Sequence, residues 1–185
     1  MDYIEYYFIE ERFFLEIYKF FHREKYLTPK HFFSIIIWKR NASKVIIKEK
    51  LGKPLGVAIK NLTKKIALAK SKEGRLEILI KQPGFKLAMA SAVLTVLYPD
   101  DFTVYDYRVR GQLNYPDITY DRNVINRYFE EYVDQVRKKG RKIARDPKLS
   151  LRDCDRLLWA KSWYEDLEEF ITKPEHATRV AYSGK

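Results

Sequence analysis

The chain has 185 residues, with 36 Lys and Arg against 25 Asp and Glu for a formal net charge of +11, and 46% of it is hydrophobic and 15% aromatic. That length suits one compact domain, and that apolar content excludes a disordered basic tail. The single cysteine, Cys154, excludes an intrachain disulfide, a four-cysteine zinc site and a cysteine-ligated iron–sulfur cluster, and points to a reducing, intracellular setting such as cytoplasm or nucleoid.

A positive surplus of this size favours a polyanionic partner, with nucleic acid ahead of an anionic membrane surface. The N-terminus opens with Asp2 and Glu5 instead of a basic region before an apolar one, so it does not read as a signal peptide. The longest uncharged run, Leu87 to Pro99, is 13 residues, too short to span a bilayer.

In chain order, Asp2-x-x-Glu5 reads as a capping box for a first amphipathic helix reaching about Tyr26, with Ile4, Phe8, Leu15, Tyr18 and Phe21 inward. Thr28-Pro29 opens a second, deeply buried helix through Phe32, Ile35, Ile36 and Trp38. Ser43 to Leu51, stopped by Gly52, and Pro54 to Ala69 follow as helices with basic outer faces. Ser71 to Lys81 precedes the break Gln82-Pro83-Gly84-Phe85, after which Lys86 to Tyr98 forms a helix rich in Ala and Ser that lets a neighbour pack close. Phe102 to Tyr105 is extended, Asp106 to Leu113 restarts a helix, and 114–119 is a loop. Val124, Ile125, Tyr128, Phe129, Tyr132, Val133 and Val136 then line one helix face ending in the cationic run 137–142. Ser150-x-x-Asp153 caps a last helix with Leu151, Cys154, Leu157, Leu158 and Phe170 inward, and the tail 174–185 is expected to fray. The expectation is a single all-α domain over 1–185 with about eight helices.

The residues with chemical meaning are Ile80-Lys81-Gln82-Pro83-Gly84-Phe85-Lys86-Leu87-Ala88 and, after them, Tyr105-Asp106-Tyr107-Arg108-Val109. A helix, a Pro-Gly-apolar turn and a small-residue helix turn backbone N–H groups outward, which grips a phosphate without reading sequence. The arrangement, over about 73–98 with the acid beyond it, resembles the helix-hairpin-helix DNA glycosylase superfamily. Its typical hairpin is Leu-Pro-Gly-Val-Gly, and about twenty residues separate that hairpin from a catalytic Asp; here Gly84 and Asp106 are 22 apart. The resemblance implies a monofunctional or degenerate DNA N-glycosylase acting on duplex DNA, with Asp106 as catalytic carboxylate. It implies main-chain contacts at Gln82, Gly84, Phe85 and Lys86. It implies no metal or other cofactor, although in some relatives a monovalent cation sits on the hairpin carbonyls. Lys86 replaces the second hairpin glycine and so loses the easiest route to positive φ, and Ala88 stands where bifunctional members carry a Schiff-base lysine.

For the rest of the interface, the basic candidates are Lys39, Arg40, Lys44, Arg108, Arg110, Arg137, Lys138 and Arg141, and Trp38, Tyr105 and Tyr107 are candidates to line a pocket for an extruded base. Other readings of the same residues stay open. Asp106 could be an ordinary N-cap, Pro83-Gly84 a plain turn and the basic groups solvated faces, leaving a non-catalytic DNA-binding protein, or a binder of membrane surfaces or acidic proteins. Asp153 and Asp155 read as acids favouring a helix dipole, and Trp159 and Trp163 as core or interface packing.

Overall fold

The computed structural model describes residues 8–172, among which every regular element is helical. The Asp2-x-x-Glu5 capping box and the tail 174–185 lie outside them. Helix α1, Phe14–Glu24, continues a π-helical stretch, Ile9–Phe13; α2 is Pro29–Arg40, α3 Ser43–Leu51, α4 Leu55–Leu68, α5 Lys72–Ile80, α6 Leu87–Leu97 and α7 Tyr107–Leu113. Val124–Arg127, the π-helical Tyr128–Val133 and Asp134–Ala144 run on as α8, and α9 is Leu151–Thr172. That is nine helices among the described residues, one more than the sequence pattern suggests.

Local chemistry sets the boundaries. Thr28 and Ser71 accept hydrogen bonds from the His31 and Gly74 backbones, and Ser150 from that of Asp153, so each hydroxyl satisfies an N–H that the first helical turn leaves unpaired. Helix α6 is the centre of the bundle: every residue of it except Ala88 is buried, and α1, α2 and α5 pack on it. Across the chain from them, α9 packs on α7 and on α8. Gly140 makes that last contact close, because a Cβ there would sit 2.5 Å from the Cys154 Cβ.

Two inward faces differ from expectation. In the first helix Phe13, Phe14, Ile17 and Phe21 are buried, whereas Phe8 and Leu15 are exposed, since the π-helical stretch changes the phase of the apolar positions. Phe170, expected inside, is exposed, because the apolar side of α9 changes direction part-way along the helix.

Candidate active site

Asp106 sits where the extended segment 102–105 meets α7. This segment has no sheet partner, so its backbone polar groups need side chains. The Tyr128 hydroxyl accepts from the Thr103 N–H at 3.0 Å and donates to the Thr103 carbonyl. Tyr132 donates to the Val104 carbonyl at 2.9 Å, and the Tyr105 N–H donates to Ser91 Oγ, on α6, at 2.8 Å. With its backbone so held, Asp106 presents two committed oxygens. Oδ1 accepts from the Arg108 N–H at 2.9 Å, capping α7, and Oδ2 accepts from Lys39 Nζ at 2.6 Å. Both side chains of this ion pair are mostly buried, 16% exposed for Lys39 and 14% for Asp106.

Lys39 and Asp106 form part of the wall of a pocket of about 520 Å³, together with Trp38 from α2 and Asp155 and Trp159 from α9. Trp38 stands edge-on to Phe14, and its Nε1 donates to Glu10 at 3.1 Å. The other Glu10 oxygen accepts from Arg152 at 2.6 Å and from Arg156 at 3.2 Å, so one carboxylate from the π-helical stretch ties α2 to α9. A second hollow of about 460 Å³ shares Glu10, Trp38, Arg152 and Arg156 with the first.

Asp155 is buried and ion-paired to Arg152. Burial pushes its carboxyl up to about 6; Arg152 and Lys39 pull it down, and the neighbouring Asp106 charge raises it. A carboxyl raised in this way, in the wall of a pocket that holds two tryptophans and the charged groups of Glu10, Lys39, Asp106, Arg152 and Arg156, is suited to giving or taking a proton there. The sequence reading of Asp155 as a dipole-favouring acid is therefore corrected. The signal that could have found it is its place on the same helix side as Leu151, Cys154 and Leu158: a charge on a buried face needs a reason. Glu10 and Trp159 carried no comparable signal, being far from Asp106 in the chain.

Of the expected pocket residues, Trp38 is in the wall and Tyr105 and Tyr107 are not. In an extended run successive side chains point to opposite sides, so Val104 and Asp106 face the pocket while Tyr105 turns away. There its hydroxyl accepts from the Ile118 N–H at 2.8 Å and holds the 114–119 loop. Tyr107, the first residue of α7, faces solvent at 65% exposure.

At the turn between α5 and α6, Gly84 takes φ +90°, which favours glycine, whereas Lys86 is extended at φ −115°. The second hairpin position thus needs no glycine, and the expected cost of Lys86 there does not arise. Phe85 is buried near Phe32, and the Gln82 and Phe85 N–H groups are spent on the Leu79 and Gln82 carbonyls at 2.9 and 3.1 Å, so the expected main-chain phosphate contacts at these two residues are corrected. No side chain caps the start of α6, and the Lys86 ammonium reaches Tyr120.

Several basic candidates are paired within the chain, Lys138 on the open surface. Arg108 pairs with Asp166, Arg110 with Asp117 and Lys138 with Asp134, and Arg141 donates to the Leu149 carbonyl. Arg137 is half-buried, its carbonyl facing the Cys154 thiol, whereas Arg40 and Lys44 are exposed. The net charge is far from evenly spread: residues 39–86 hold fourteen Lys and Arg against three Asp and Glu, an excess of eleven that equals the +11 of the whole chain. That span comprises the end of α2, then α3, α4, α5 and the Gly84 turn.

Among the described residues no three of His, Cys, Asp and Glu gather closely enough to hold a metal ion, and no helix is long and apolar enough to cross a membrane. Compared with models of protein families, with curated proteins and with solved structures, the chain matches none.

Proposed function

We propose that the protein binds duplex DNA and excises a base from it, as a monofunctional DNA N-glycosylase with Asp106 as the catalytic carboxylate. The observation that carries this reading is convergence: Asp106, singled out by its spacing from Gly84, lines the same pocket as Trp38, which sequence reading had put forward for base binding. Support also comes from the charge, since the whole surplus falls on the span that ends in the Gly84 turn.

In this reading the exposed lysines of α3 and α4, with Lys86 and the uncapped start of α6, hold phosphates. A base taken out of the stack enters between Trp38 and Trp159. Cleavage of the base–sugar bond builds positive charge on the sugar, which the Asp106 carboxylate stabilises while orienting the attacking water. Lys39 positions that carboxylate, and Asp155 supplies a proton to the departing base.

One observation favours a second reading, a non-catalytic DNA-binding protein: both Asp106 oxygens are already used, one as a helix cap and one in the Lys39 ion pair. The test is incubation with duplexes carrying uracil, hypoxanthine, alkylated or oxidised bases, followed by alkaline cleavage at abasic sites. Strand cleavage at one class of lesion is the expected result. Salt-sensitive binding without cleavage across the panel supports the second reading, and absence of binding overturns both.

A further inference from the structure

Helix α9 changes its apolar side half-way along. Leu151, Cys154 and Leu158 pack inward, but at about 100° per residue Trp159, Trp163, Leu167 and Phe170 lie roughly a third of a turn further round. On the side that still faces the body stand acids instead, where Glu165 bonds Gln112 and Asp166 pairs with Arg108 of α7. The acidic side is thus used within the chain, and the apolar side is turned outward. Its exposures are 44% for Trp159, 48% for Trp163, 57% for Tyr164, 37% for Leu167, 59% for Phe170 and 64% for Ile171.

We propose that this outward face is the contact through which two copies of the chain pair, antiparallel, about a two-fold axis near Tyr164. The six side chains expose roughly 600 Å² of apolar surface per copy, at or above the largest patch usual on a monomer and close to the core of a standard interface. From Trp159 onward the helix carries one cation, Lys161, against Glu165, Asp166, Glu168 and Glu169, an acidic balance that disfavours both nucleic acid and an anionic membrane. An uncharged band is self-complementary, as a two-fold contact requires.

The edge of the band supplies charge complementarity as well. Lys161, which also pairs with Glu165 of its own chain, and Glu168 stand on the same edge, seven residues apart, so antiparallel pairing about their midpoint brings Lys161 between Glu165 of the partner subunit and Glu168 of the partner subunit. The same pairing lays Phe170 near Trp159 of the partner subunit. Because Trp159 also lines the pocket, the paired helix runs along the pocket rim.

The experiment is sedimentation velocity on the full chain over a micromolar concentration range, for wild type, Trp163→Glu, Lys161→Glu and Lys161→Glu/Glu168→Lys, with circular dichroism as a folding control. The expected result is the mass of two 22.2 kDa chains for wild type, dissociation in both single variants and re-association in the charge-swapped double variant. The swap keeps the test decisive if Trp163→Glu does not fold. A wild-type monomer throughout, as when residues 173–185 cover the face instead, overturns the proposal. So does a dimer that both single variants leave intact.

Discussion

Replacing Asp155 with Asn changes how stability depends on pH, by an amount the site itself sets. Burial lifts this carboxyl from 3.8 to about 6 despite the attraction of Arg152. A folded-state value above the unfolded one means that the folded protein binds the proton more tightly. The stabilising contribution is therefore complete below about pH 4 and is lost as pH rises through about 6. A shift of about two units at 1.36 kcal/mol each amounts to about 3 kcal/mol. Asn is close in shape to the protonated acid and does not titrate. Whatever fixed cost the amide carries, the stability of Asp155→Asn relative to wild type should improve by about 3 kcal/mol between about pH 3 and about pH 8. Taking this difference cancels carboxylates common to both proteins, such as Asp117 and Glu131, whose values are held low by hydrogen bonds and by Arg110 and Arg127 and whose contributions have the opposite sign. Urea unfolding of both proteins at several pH values measures it. A difference that stays flat with pH refutes the buried, proton-holding Asp155.

Other expectations follow from particular contacts. Gly140→Ala puts a methyl 2.5 Å from Cys154 Cβ and 2.7 Å from its Cα, so α8 and α9 must part. An overpacking cost of up to about 3 kcal/mol, offset by up to about 1 kcal/mol of helix propensity, leaves a net loss of about 2 kcal/mol in chemical denaturation. Unchanged stability would contradict the close helix contact. Gly84→Ala should cost about 1 to 2 kcal/mol from the φ of +90° alone, since its new methyl meets Ile47 at an ordinary 3.6 Å, while Lys86→Gly should bring no gain; equal melting of Gly84→Ala and wild type would refute this. Neutralising Lys48 and Lys64 together should weaken binding of unrelated duplexes alike and lower the slope of log affinity against log salt by about 2, measured by fluorescence anisotropy. A slope that does not move would place the DNA elsewhere.

Much of the helical framework could be read from local chemistry. Thr28-Pro29, Gly52, Ser71, Asp106 and Ser150 punctuate the chain because a cap or a stop needs only its own neighbours. Asp106 and Trp38 stand out in the sequence on other grounds, one through the family resemblance and one through aromatic character beside basic residues. What sequence could not reveal depends on tertiary packing. Lys39 looks like any surface lysine of a basic run until α2 brings it against Asp106. Glu10 gains meaning only where Trp38, Arg152 and Arg156 converge on it. Tyr105 lies outside the pocket because its neighbour Asp106 points into it and alternation sends Tyr105 the other way. The two apolar directions of α9 blur into weak periodicity when the helix is read as one stripe.

Base release by Asp106→Asn beside wild type bears most directly on catalysis at this site. Asn keeps the size of the side chain and an oxygen to cap α7, but removes the charge that the proposed mechanism sets against the sugar. On the duplex that wild type processes, the expected result is a rate lower by about 10² to 10³ with DNA binding retained. Base release by Asp106→Asn at the wild-type rate would contradict the assignment and leave Asp106 as a helix cap in a DNA-binding protein.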